Sequence, residues 1–206
     1  MDVVVAGGHG KVAQRLLRLL AQRGERARGL IRNPAHASDV EALGAEPVLC
    51  DMEAEDDLAP FVAGADAVVF AAGAGPGSGP ERKRTVDLGA AVKLIRAGVM
   101  RYVMVSAMGA AHPERSSERM RPYIEAKAEA DRALMDSGLD WTVVRPGGLT
   151  DEPGTGRVSV DGGYGSIPRD DVAATLLAVL DTSSTVGKAF ELVEGETPIE
   201  EAVRSL

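Results

Sequence analysis

The chain has 206 residues, 45% hydrophobic and 26% charged, enough for one domain with a sizeable core and ordinary soluble composition. Aromatic residues supply only 3%, so that core has to be built mainly from Val, Leu, Ile and Ala. A formal net charge of -8 argues against non-specific nucleic-acid binding, which needs a basic surface, but leaves room for a small anionic ligand in a local pocket.

Apolar runs alternate with amphipathic ones. VVVA (3–6) predicts a short buried strand, and residues 11–23 then carry Val12, Leu16, Leu19 and Leu20 on one helical face. RARGLI (26–31) reads as a second strand, HASDVEALG (36–44) as a short helix stopped by Gly44, and PVLC (47–50) as a third strand. Asp56 to Ala63 predicts another helix, and DAVVFAA (66–72) a nearly all-apolar fourth strand. TVDLGAAVKLIRAG (85–98) predicts a helix ending at Gly98, and RYVMVSA (101–107) a fifth strand. A long helix follows from Glu118 to Ser137, then a sixth strand, DWTVVRP (140–146), which Pro146 terminates. Residues 147–165 hold seven glycines and read as a loop with one short strand around Val158. Pro168 sits at an expected helix N1 position, with Val172, Leu176, Val179 and Leu180 behind it. KAFELVE (188–194) reads as a late strand and Pro198 to Leu206 as a final helix.

Strands buried on both faces, each followed by a helix, define an α/β, doubly wound, mainly parallel sheet in three layers. The reading is one domain over 1–206, with a small substrate-side portion from about residue 147 onwards. Cys50 is the only cysteine, which excludes an internal disulfide, fits a reducing compartment, and reads as a small core residue near a strand end. No basic leader precedes the first strand and no run of 18 apolar residues occurs, so a cytoplasmic protein without membrane contact is expected. No His/Cys cluster has metal-ligand spacing.

The first strand runs straight into GGHG (7–10) and a helix. In an open parallel sheet, ligands bind beyond the C-terminal strand ends, and this junction lies there. Gly7 permits the sharp turn, Gly10 lets a pyrophosphate approach the backbone at the helix N-terminus, and Ala13 lets helix and strand pack closely. His9 is expected to offer backbone to phosphate, and Lys11 either lends charge or is solvated. At the end of the second strand stands Arg32, with no acid between Ala27 and Ala37. A guanidinium there suits a 2′-phosphate, which favours NADP(H) over NAD(H), although a solvated strand-end arginine fits the same position. Asp51 could accept from an adenine amino group, with Met52 beside the ring, or could cap a helix. The small residues of AAGAGPGSG (71–79) let the backbone pass close to a ribose, and also suit a flexible surface loop.

Ser106 ends the fifth strand, while Tyr123 and Lys127 stand four apart on one helical face. A lysine one turn from a tyrosine stabilises phenolate and can lower the tyrosine's pKa; a serine hydroxyl nearby can polarise a carbonyl. Glu114, Arg115, Glu118, Arg119 and Arg121 form a mixed-charge, solvated segment before Tyr123. Asp151 and Glu152 fall where a substrate loop could lie, and Asp170 and Asp171 suit the first turn of a helix.

The stretches VVVAGGHGKVA, IRNP, VVFAAGAGPGSG, VMVSA, YIEAK and VVRPGGLT together resemble an atypical short-chain dehydrogenase/reductase. The likeness is to the compact NAD(P)H-binding group with flavin/biliverdin-reductase-like and NmrA-like members, and it covers nearly the whole chain. It implies a Rossmann fold with strand order 3-2-1-4-5-6 plus a seventh strand. It further implies that Gly7, His9, Gly10, Lys11, Val12, Arg32, Asn33, Asp51, Met52, Ala71, Ala72, Gly73, Val105 and Lys127 line the cofactor, and that Pro146 and Gly147 pass beside its nicotinamide. Ser106, Tyr123 and Lys127 match the group's catalytic set. Ala13 departs from a common third glycine, and the short segment after Pro146 departs from relatives that act on nucleotide sugars, which use a larger lobe. Two functions are expected: reduction of a small carbonyl, quinone or flavin-like acceptor by NADPH, or non-catalytic NADP(H) sensing reported to a protein partner.

Overall fold

The computed structural model describes residues 1–206 apart from Ala74, Pro76, Gly77 and Ser78, and apart from the side chains of Pro80 and Lys83. The strands and helices are, in chain order, β1 (Asp2–Ala6), α1 (Lys11–Gln22), β2 (Arg26–Ile31), α2 (Ala37–Glu41), β3 (Glu46–Leu49), α3 (Ala59–Val62), β4 (Ala67–Phe70), α4 (Pro80–Lys83), α5 (Ala91–Arg96), β5 (Arg101–Val105), α6 (Arg121–Met135), β6 (Asp140–Pro146), β7 (Gly148–Thr150), β8 (Arg157–Val160), β9 (Ser166–Pro168), α7 (Arg169–Asp181), β10 (Lys188–Glu194), β11 (Thr197–Pro198) and α8 (Ile199–Arg204).

The main sheet runs β11-β8-β10-β6-β5-β4-β1-β2-β3. Its inner part is the expected 3-2-1-4-5-6 order, and the expected seventh strand is β10, parallel to β6. Strand β8 is antiparallel to β10 and β11 to β8, extending the sheet beyond the sequence reading. Along β1 the side chains alternate between two cores. Val3 and Val5 join Leu16 and Leu20 of α1, Leu176 of α7 and Val203 of α8. Val4 joins Val62 of α3, Leu94 of α5 and Leu134 of α6 on the other face. Both faces of a parallel sheet are thus covered, as βα crossovers require.

Several elements differ from expectation. The helix over Asp56 to Ala63 shrinks to Ala59–Val62, with Pro60 in its first turn. The long helix begins at Arg121, not Glu118, with Pro122 in its first turn, where the missing N–H costs nothing. Pro168 ends β9 and precedes α7 as its cap residue instead of occupying N1. The glycine-rich loop contains β7 and β8, and β9, directly after it, pairs with β7 in parallel. Glycines allow that close packing: a Cβ on Gly147 would lie 2.3 Å from the Gly165 carbonyl oxygen. The helix expected over 85–98 reaches back to Pro80 and is wound as a π-helix from Arg84 to Ala90. No described helix is long and apolar enough to cross a membrane.

Candidate functional site

Beyond the C-terminal ends of β1 to β4 lies a cleft of about 390 Å³. Gly7, His9 and Gly10 form its floor, Arg32, Asn33 and His36 one wall, Cys50 to Glu53 the next, and Ala71 to Gly73 with Arg82, Val86 and Ala90 the last. The glycine loop has its shape for steric reasons. Gly7 has φ +81°, and a Cβ there would stand 2.7 Å from Cα of Ala72. The Gly8 N–H donates to the Leu30 carbonyl (2.8 Å), and the Gly10 N–H to the Gly7 carbonyl (2.7 Å). Gly10 then caps α1 without a side-chain hydrogen bond, and the helix has no acid in its first turn. The N-terminus of α1 therefore opens at the cleft with neither a side-chain cap nor an acid in its first turn, which fits a pyrophosphate.

The remaining walls carry polar groups from four loops. His9 stacks on His36 with ring centroids 3.6 Å apart, and its Nε2 lies 2.9 Å from Asp39. Asn33 accepts from the Ala35 N–H (3.0 Å), capping the turn that carries His36. Asp51 accepts from the Glu53 N–H (3.0 Å), so it closes a local turn and does not cap a helix. Lys93 of α5 donates to the carbonyls of Met52, Glu53 and Glu55, fixing that wall from behind. Arg32 donates to Glu53 at 2.9 Å. Cys50 is buried, as expected, and burial pushes its thiol up to about 11. Of the residues expected to line a cofactor, Val12 is buried behind the loop, and Lys11 turns outward to Asp151. Asp151 also accepts from Arg169 (2.9 Å), so it ties α1 to α7. Asp171 is buried and accepts from the N–H groups of Thr155 and Gly156, anchoring the glycine-rich loop as well as starting α7.

A second set of side chains lies past β5 and β6. Tyr123, Lys127 and Asp131 follow one another at four-residue intervals on α6. Lys127 is buried, donates to the Val105 carbonyl (3.1 Å) and stands 3.2 Å from Oδ1 of Asp87, which is itself 1% exposed. Its ammonium lies 6.0 Å from the centroid of the Tyr123 ring and 5.7 Å from that of Phe70. Asp131 pairs with Arg145 of β6 (2.9 Å). Ser106 is buried at the end of β5; its hydroxyl meets no partner within full hydrogen-bond geometry among the described residues, yet it helps to hold down the pKa of Asp131. Burial raises the Asp131 pKa, and Ser106, Arg145 and Lys127 offset only part of that rise.

The π-helix joins the two halves of the site. Val86 lines the cleft and the adjacent Asp87 meets Lys127; a Cβ on Gly73 would come within 3.2 Å of Asp87 Oδ1. This corrects one expectation. Burial raises the Tyr123 pKa; Lys127 lowers it again only in part, and Asp87 and Asp131 add to the rise. The net shift is upward, so Tyr123 is a phenol at neutral pH. Asp87, Asp131 and Arg145 escaped the sequence reading. Asp131 alone had a signal there, since it extends the Tyr123–Lys127 spacing by one more turn. Gly147 owes its lack of side chain to Gly165, and Pro146 offers its carbonyl to the Met108 N–H (3.0 Å). The loop 71–79 is described except at Ala74 and 76–78, which lie outside the described residues. Among the described residues no group of three or more His, Cys, Asp or Glu side chains could hold a metal ion.

A glycine turn at the first strand–helix junction of a 3-2-1-4-5-6 parallel sheet, opening on a cleft at the strand ends, defines a dinucleotide-binding Rossmann-type protein. The NAD(P)H-binding family model matches residues 7–183, and the chain belongs to that family. It is 42% identical to the Bacillus subtilis protein named uncharacterized sugar epimerase YhfK, over 100% of both chains. A solved structure from Bacillus halodurans, named for NAD-dependent epimerases/dehydratases, is 39% identical, with a TM-score of 0.95 over 100% of both chains. The oxidoreductase ylbE from Lactococcus lactis is 28% identical, with a TM-score of 0.89 over 100% of this chain and 96% of that one. The chain is thus an NAD(P)H-binding protein with a Rossmann-type fold.

Proposed function

We propose that this protein is an NADPH-dependent reductase of a small carbonyl, quinone or flavin-like acceptor. The observation that carries the reading is the pairing of Tyr123 and Lys127 on α6, held to the end of β5 through the Val105 carbonyl next to Ser106 and linked through Asp87 to the Gly73 wall of the cleft. When bound, NADPH supplies the hydride. Gly7 and Gly10 give the pyrophosphate its approach, Arg32 suits a 2′-phosphate, and Asp51 and Met52, which line the same cleft, are the residues proposed to meet the adenine. Tyr123, kept protonated by burial, gives its proton to the oxygen on which negative charge develops. Ser106, buried where β5 ends, is the second donor proposed for that oxygen. Lys127 keeps a positive charge beside Tyr123 and steadies the phenolate left behind.

A sensor of NADP(H) is the second reading. It draws on Lys127 being already engaged by Asp87 and Val105, which leaves less of its charge for catalysis. The word epimerase in two relatives' names suggests sugar chemistry. Against it, the described residues after Pro146 add strands to the main sheet, a two-stranded ribbon and two helices, with no separate lobe for a nucleotide sugar.

The test is titration of the purified protein with NADPH, NADH and NADP⁺ by cofactor and Trp141 fluorescence, followed by an acceptor screen. Binding of NADPH with turnover of any acceptor supports the enzyme. Binding with a large NADPH-over-NADP⁺ preference and no turnover favours the sensor, and no binding removes both.

A further inference from the structure

The sequence places only an arginine beside the expected ribose, but the structure brings an acid to the same spot. Glu53 follows β3, and its carboxylate accepts from Arg32 at the end of β2 (2.9 Å), from Arg82 of α4 (3.4 Å) and from the Thr85 hydroxyl (2.8 Å). Its backbone is held too: the Glu53 N–H donates to Asp51 (3.0 Å), and Lys93 donates to the Glu53 carbonyl (2.9 Å). The carboxylate therefore sits at a fixed place in the cleft wall, between two guanidiniums that arrive from different elements. Arg32, Glu53 and Arg82 all line the cleft, far along the chain from Tyr123 and its partners.

These groups read a ribose in opposite ways. A carboxylate accepts from a free 2′-hydroxyl, which favours NAD(H). A pair of guanidiniums suits a 2′-phosphate, which brings about -1.5 to -2 charges and several acceptor oxygens. A phosphate and a carboxylate cannot share one position, because like charges at contact repel. We propose that Glu53 sets cofactor choice in this cleft. With its carboxylate seated between Arg32 and Arg82, the ribose hydroxyl of NAD(H) finds an acceptor. NADP(H) binds by displacing Glu53 and taking over both arginines. Arg82 is thereby the second phosphate ligand, contributed across the cleft from Arg32. The inference rests on the reading of the cleft as an NAD(P)H site and adds the residues that discriminate the two forms.

The test is to measure dissociation constants for NADPH and NADH, at low and high salt, for wild type, Glu53→Gln and Arg82→Gln, with urea midpoints to verify folding. Glu53→Gln removes the competing charge while keeping the side chain's size, so the NADPH-to-NADH preference should rise about tenfold, through tighter NADPH and weaker NADH. Arg82→Gln should weaken NADPH about tenfold, flatten its salt dependence and spare NADH. The inference is overturned if Glu53→Gln weakens both cofactors alike, as a mere brace of the wall would, or leaves their ratio unchanged, or if Arg82→Gln leaves NADPH binding intact. Should wild type bind neither cofactor, the functional reading itself fails. Should it bind both while the variants leave the ratio fixed, only the role of Glu53 fails.

Discussion

Replacing Asp87 with Ala removes one half of a buried ion pair. Asp87 and Lys127 are 1% and 3% exposed, and the ammonium lies 3.2 Å from the carboxylate. Without Asp87, Lys127 keeps the Val105 carbonyl (3.1 Å) but loses its charged partner. Removing one partner of such a pair costs about 3–5 kcal/mol, against a total of about 5–15 kcal/mol for a folded domain. At roughly 2–4 °C per kcal/mol for a chain of this size, the melting temperature should fall by about 6–20 °C. Asp87→Asn keeps an acceptor in the same place and should cost less, about 1.5–3 kcal/mol. The Asp87→Ala/Lys127→Met double variant removes both charges, so it should recover much of the loss, with a coupling of about 1–3 kcal/mol in the cycle. Burial pushes the Lys127 ammonium down, but Tyr123, Asp87 and Asp131 together hold its pKa above the ordinary lysine value of 10.5. The stabilisation it brings is therefore full below that value and lost as pH rises through the higher folded one; with Asp87 gone the loss begins at lower pH. Urea unfolding followed by Trp141 fluorescence at neutral and alkaline pH measures each quantity. An Asp87→Ala cost below about 1 kcal/mol, or a double variant whose loss is the plain sum of the two single ones, would refute the pairing.

Four further outcomes are expected. Tyr123→Phe should lower reduction of a carbonyl acceptor at least about 100-fold in kcat with NADPH affinity preserved, and intact turnover would remove the proton-donor role. Because burial raises the Tyr123 pKa, the wild-type rate should lack an alkaline fall until the pH passes the ordinary tyrosine value of 10.0; an earlier fall in the pH–rate profile contradicts that environment. Cys50, buried and shifted up to about 11, should resist a thiol reagent at mildly alkaline pH until the chain is unfolded, and rapid labelling of native protein would show that strand end to be open. Gly7→Ala puts a Cβ 2.7 Å from Cα of Ala72 at φ +81°, so it should abolish NAD(P)H binding in a titration. It should also cost at least about 1–2 kcal/mol of stability in urea unfolding.

Local signals were sufficient for the inner sheet and the glycine turn. Val3 to Ala6, Ala67 to Phe70 and Tyr102 to Val105 are buried runs in strands and cannot be surface, and Gly7 sits at a junction whose φ only glycine adopts freely. Length and alternation also marked Lys188–Glu194, although its place beside β6 and the antiparallel addition of β8 depend on pairings between distant segments. Residues 147–168 were harder, since β7 and β9 are three residues each and their apolar content is slight. Proline limited the helices: Pro60 and Pro122 leave the expected periods intact but move the starting points.

The site was legible where one element carries its residues and illegible where several do. Tyr123 and Lys127 share a face of α6, so their spacing is visible in the chain. The partner of Lys127 is not, because Asp87 lies 40 positions away in sequence and reaches it only after the helix following β4 is wound more widely than 3.6 residues per turn. A helical wheel drawn over 85–98 at the ordinary period of 3.6 residues puts Val86, Asp87, Ala90 and Leu94 on one face, within an arc of about 100°. The π-winding instead sends Val86 to the cleft and Asp87 to Lys127, while Ala90, Ala91 and Leu94 remain in the core. The same stretch supplies Thr85 to Glu53, and α4 just before it supplies Arg82. One wide-wound segment thus touches both the wall that would read the ribose and the lysine that faces the tyrosine. If the cleft reads the ribose and Tyr123 gives the proton, as proposed, a change of winding there should alter cofactor choice and proton donation together.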